Sequence, residues 1–142
     1  MNNNNFLTIL FTLALSISLS ACASGQHQFI NGIREPNANF ILYVANQSHT
    51  DSKVNISVKI DGRHIFQDKI SNRHHTWSIY ELHLLPGEHI IHAVSLKDNS
   101  TVHQSFTVSD HHWAVLIYSS PPNDSKQNEL FFEVSNKPIG FL

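Results

Sequence analysis

One cysteine, Cys22, stands in 142 residues. An intrachain disulfide is therefore excluded, and the fold must rest on an apolar core. Charge is sparse as well: charged residues make up 14% of the chain, and none precedes Arg34. The formal net charge of −2 argues against nucleic acid, which selects basic surfaces. No polybasic segment is present to hold an anionic membrane. Five glycines occur, scattered in turns and tether rather than gathered into a phosphate-binding loop. There is no GxSxG elbow and no HExxH helix. Ser, His and Asp are plentiful but show no arrangement that points to a triad. The chain reads as a non-enzyme with no cofactor motif.

Long hydrophobic runs are also missing, with one exception. Residues 6–20 read FLTILFTLALSISLS. A helix of about 15 residues spans about 22 Å, short of the roughly 30 Å hydrocarbon core. The length suits the h-region of a signal peptide, and small residues follow. Leu19-Ser20-Ala21-Cys22 resembles the bacterial lipobox: an aliphatic residue, two small ones, then Cys. The resemblance implies that the Cys22 thiol takes a diacylglyceryl group and that cleavage leaves Cys22 as the new N-terminus. It also gives an unpaired thiol in an exported protein a reason to exist. Ala23 follows, where an Asp would imply retention at the inner membrane, so the resemblance points to the outer membrane. The n-region Met-Asn-Asn-Asn-Asn departs from the usual pattern, for it lacks Lys and Arg.

Three segments are expected: a signal peptide over 1–21, a lipidated Cys and flexible tether over 22–38, and a β-domain over 39–142. The tether is polar and holds Gly25, Gly32 and Pro36. Beyond residue 39 the signal is β throughout. Residues 54–60, VNISVKI, alternate apolar and polar, the mark of a half-buried strand. Asp61-Gly62 follows, the residue pair of a tight hairpin turn. Residues 40–44 form a short apolar run, a return strand is expected through Ile65, Phe66 and Ile70, and further strands are expected near 77–85, 89–96, 101–108, 112–119 and 130–134. About seven to eight short strands at this spacing predict an antiparallel β-sandwich. If Pro86-Gly87-Glu88 and Lys97-Asp98-Asn99 are three-residue hairpin loops, Ile90 faces Phe106 and Val94 faces Val102. One face then carries Tyr80, Leu82, Leu84, Ile90, Val94, Val102 and Phe106, with His92 pointing inward opposite Gln104.

Several phrases together resemble a family. They are Tyr43-Val44-Ala45-Asn46-Gln47-Ser48, VNISVKIDGRHI at 54–65, LLPGEHIIHAVS at 84–95, HHWAVLIYSSP at 111–121 and NKPIGF at 136–141. The pattern is similar to small bacterial lipoproteins with an immunoglobulin-like or PEGA-like β-sandwich. The resemblance covers roughly residues 40–141. It implies a fold and an envelope location, with binding or spacer roles, and no catalytic residue.

Eleven histidines are the one compositional oddity. Zinc and copper favour imidazole, so His74, His75, His83, His89, His92, His103, His111 and His112 are the candidate ligands. Strand alternation separates most of them, and no metal site is expected. A pH response is the other reading, since full protonation would carry the net charge from −2 towards about +9. The best hint of an interaction surface is the strand near 112–119, apolar on both faces. Trp113, Leu116 and Tyr118 are its candidate contact residues, with His74 and His75 in a loop at the sandwich end. Expected partners are membrane lipid through Cys22 and an envelope protein or glycan.

Overall fold

The computed structural model describes residues 28–73, 76–120 and 127–141. Nine strands and no helix occur among them: β1 (Gln28–Arg34), β2 (Phe40–Gln47), β3 (Lys53–Ile60), β4 (Arg63–Ser71), β5 (Thr76–Leu82), β6 (Gly87–Ser95), β7 (Thr101–Val108), β8 (His112–Ser119) and β9 (Glu129–Ser135). The strand count exceeds the expected seven to eight. The expected signal peptide, Cys22, His74 and His75 lie outside the described residues.

Alternation builds each strand's inner face. In β3, Val54, Ile56, Val58 and Ile60 are buried while Lys53, Asn55 and Lys59 are exposed. The turn after β3 is the expected hairpin. Ile60 pairs with Arg63, leaving Asp61 and Gly62 as the two loop residues. Both have positive φ, 51° and 76°, the geometry that matches strand twist in a two-residue turn. A bulge near Lys59 then lets Ile65 and Phe66, neighbours in sequence, both reach the core.

Two sheets form, ordered β1-β5-β2-β8-β9 and β4-β3-β6-β7. Their inner faces make one core. Phe40 stacks on Phe106 at 5.1 Å and Tyr80 on Phe66 at 3.7 Å, both across the gap between sheets. The pairing is not purely antiparallel as expected. β2 runs parallel to β8 and β1 parallel to β5.

The register expected for β5, β6 and β7 is corrected. β5 and β6 belong to different sheets, so residues 83–86 cross between layers and Pro86-Gly87 ends that crossover rather than forming a hairpin. The β6–β7 loop holds four residues, 96–99, not three: the Ser95 N–H donates to the Ser100 carbonyl at 2.8 Å. Asn99 takes the left-handed position as expected, with φ 57°. The extra residue slips the pairing by one and reverses every face in β6. His89 faces Phe106, Ala93 faces Val102 and His92 faces His103. Ile91 and Ala93 are fully buried, whereas Ile90 is 46% exposed.

The expected tether, 22–38, supplies β1 in its second half. That strand lies along the edge of β5. Gly32 permits it: a Cβ there would sit 2.5 Å from Tyr80 Cε1 and 2.9 Å from the Ile79 carbonyl oxygen.

Candidate interaction surface

β8 lies between β2 and β9, and its two faces have different fates. Ala114, Leu116 and Tyr118 are fully buried in the core. Leu116 and Tyr118 are therefore removed from the expected contact surface, because the two-residue period turns them inward. Trp113, Val115 and Ile117 point outward and are half-buried. Register places Ile41, Tyr43 and Ala45 of β2 beside them on one flank. Ser135, Glu133 and Phe131 of β9 flank them on the other. Phe131 is 51% exposed.

Part of this outer face is covered from within the chain. The Phe141 ring lies 4.8 Å from Tyr43 and 4.6 Å from Trp77. Burial first, then the Glu81 charge, pushes the Tyr43 phenol pKa up. Trp113, Ile117 and Phe131 lie beyond that aromatic cluster, towards the β9 edge. Sequence reading identified Trp113 and missed Phe131's pairing with Ile117, which depends on the β8–β9 register.

The inward end of β8 is chemically busy. Tyr118 OH lies 2.9 Å from Asp51 Oδ2 and 2.8 Å from Asp98 Oδ2. Asn128 Nδ2 donates to Asp51 Oδ2 at 2.7 Å and to Tyr118 OH at 2.9 Å. Lys97 pairs with Asp51 Oδ1. The Lys97 hydrogen bond, partly offset by burial and aided by Tyr118, holds the Asp51 carboxyl below its ordinary range. Burial first, then Asp98, drives the Tyr118 phenol far upward, so it remains a donor. The cluster joins the 48–51 connection, the 96–99 loop and the start of β9. Nearby, Ser48 Oγ lies 3.0 Å from Ser120 Oγ and 3.1 Å from Thr50 Oγ1. These hydroxyls bond to one another rather than to an imidazole.

The structure distributes the histidines. His89 is buried, with its ring nitrogens on Asp61 and the Leu85 carbonyl. His83 Nδ1 lies 2.9 Å from the Asn37 carbonyl. His111 lies beside Asp110 at 3.0 Å. His92 and His103, expected on opposite faces, lie opposite each other with ring centroids 5.8 Å apart. Among the described residues, no group of three or more His, Cys, Asp or Glu side chains is placed to hold a metal.

No protein-family model matches this chain, and a search of curated proteins finds no similar sequence.

Proposed function

We propose that this chain is a lipid-anchored module of a bacterial cell envelope that works by binding rather than by catalysis. Its sandwich is immunoglobulin-like in architecture, with its own strand order. The observation that carries the binding reading is the outer face of β8 and β9. Trp113, Ile117 and Phe131 form an apolar stripe on a sheet whose other side is already packed into the core. A stripe of this kind suits an envelope protein offering a complementary apolar surface. Five residues separate Cys22 from β1, a reach of at most about 22 Å. Lipidation at Cys22 would hold the sandwich close to the membrane.

The test is membrane fractionation followed by crosslinking. Cys22→Ala should release the protein from membranes. Phe131→Ser should stay in the membrane and lose the crosslinked partner. A Cys22→Ala protein that stays in the membrane with unchanged partners overturns the anchor. A Phe131→Ser protein that keeps its partner overturns the surface. A histidine-based metal binder and a structural spacer are the alternatives. Titration with zinc or copper by calorimetry separates the first, and an empty crosslinking lane separates the second.

A further inference from the structure

The outer face of the four-stranded sheet holds a row that the chain order conceals. His64 of β4 pairs with Lys59 of β3, Lys59 pairs with His92 of β6, and His92 pairs with His103 of β7. All four side chains are exposed. Strands lie about 4.8 Å apart, so the row crosses the whole sheet over about 14 Å. Lys53 and Lys69 lie on the same face, opposite Ser71 and Asn55. The carboxylates nearby are few. Glu88 stands at the far end of β6, opposite Thr107. Asp61, in the hairpin turn, is engaged by His89 and by the Ile90 N–H at 2.8 Å. Arg63 is turned away and bonded to Glu35, and Asp68 is bonded to Tyr80. On a chain of net charge −2, this face is locally cationic.

We propose that this row is a binding surface for an acidic glycan, one bearing carboxylates along its chain. The inference rests on the envelope-binding reading above and names a partner class for a second face. Charge complementarity supplies the attraction. The geometry supplies the choice of polymer. Beside Lys59, His92 and His103 is a recess of about 400 Å³ lined also by Asp61, Gly62 and Ile90, with both Asp61 oxygens already bonded, to His89 and to the Ile90 N–H. Ile90 offers an apolar patch to the C–H face of a sugar, next to nitrogen donors for its acid group. No Trp, Phe or Tyr stands on the outward register of these four strands. A base-stacking platform is therefore missing, as are the aromatic wedges that seat proteins in a bilayer surface.

The His92 and His103 rings, with centroids 5.8 Å apart, stand side by side on adjacent strands, so one acid group of the glycan can meet both.

The experiment is calorimetric titration of the full chain, in non-ionic detergent, with polyuronate oligosaccharides at pH 5.5. Dextran oligosaccharides, anionic vesicles and zinc are run alongside. Binding should weaken with salt and be absent for dextran. Lys59→Gln should weaken binding about tenfold, and so should the double substitution His92→Gln and His103→Gln. These side chains are exposed, and an unchanged thermal unfolding curve checks that the variants fold. No uronate binding at pH 5.5, or equal binding by all variants, overturns the proposal. So does preference for the vesicles, which assigns the face to lipid, or zinc uptake without uronate binding, which assigns the pair to metal. Membrane retention through Cys22 is scored separately, so a failed glycan does not count against the anchor.

Discussion

His89 Nδ1 lies 2.6 Å from Asp61 Oδ2, and its Nε2 lies 2.7 Å from the Leu85 carbonyl oxygen. Both partners are acceptors. A neutral imidazole has one N–H and can serve only one of them, whereas the imidazolium serves both. The charged ring thereby ties the β3–β4 hairpin to the crossover between sheets, and it lies 5.6 Å from the Phe106 ring.

That arrangement sets a pH dependence of stability. Burial alone would lower the His89 pKa, but the Asp61 hydrogen bond, the Leu85 carbonyl and the Asp61 charge outweigh it and raise it. The folded pKa lies above the unfolded value near 6.5. The contribution is therefore complete below about pH 6.5 and is lost as pH rises through the raised folded value. His89→Gln should cost about 1–2 kcal/mol at pH 6 and less at pH 9. Thermal unfolding across that range checks it, and a gap that does not narrow with pH counts against a charged His89.

Asp51 works in the opposite direction. Its pKa is held down in the folded state, so its contribution is present above the unfolded value near 3.8 and is lost as pH falls through the depressed one. Asp51→Ala leaves the Tyr118 hydroxyl and the Asn128 amide each short of a partner. A loss of about 1–3 kcal/mol at pH 7 is expected. Urea unfolding at pH 7 and pH 3 should show the variant losing less on acidification than the parent chain.

Leu116 and Phe131 separate core from surface. Leu116→Ala should destabilise by about 2–5 kcal/mol, because a fully buried side chain leaves a cavity. Phe131→Ala should change stability by less than about 1 kcal/mol, since half of the ring is exposed. Chemical denaturation measures both. A Phe131 variant as unstable as the Leu116 variant would show that the ring is structural rather than a contact residue.

Gly32 controls whether β1 stays on β5. Gly32→Ala places a methyl group against the Tyr80 ring and the Ile79 carbonyl. The expected cost is about 1–3 kcal/mol, concentrated in β1. Amide hydrogen exchange should report loss of protection in residues 28–34 while β3 and β6 keep theirs. Unchanged protection in β1 would mean that the edge adapts to a side chain.

Legibility in the sequence followed the range of the interactions. The alternation of β3 and the Asp61-Gly62 turn are local and could be placed, whereas the bulge that turns both Ile65 and Phe66 inward could not. Asn99 was also legible, because a left-handed position suits its short amide side chain. β6 was not. Its two faces read His89, Ile91, Ala93 and Ile90, His92, Val94, and the slightly more apolar second one is the face turned outward. A loop one residue longer than expected chose between them. Trp113 and Leu116 were both visible as apolar, but their opposite fates required knowing that one face of β8 meets the second sheet. β1 was hidden because QFINGIR, though it holds Phe29, Ile30 and Ile33, has no two-residue period, and its place depends on an open edge of β5.

The sequence by itself determined a β-domain beyond residue 39, most of its strands and several of its turns, because hydrophobic period and turn chemistry act over a few residues. Only the tertiary structure decided which strands share a sheet, which way β6 faces and which histidines meet. His64, Lys59, His92 and His103 form one row because three separate strand registers agree. Register passes through loop parity and long-range packing, so a single residue in the 96–99 loop moves a whole strand face from core to solvent.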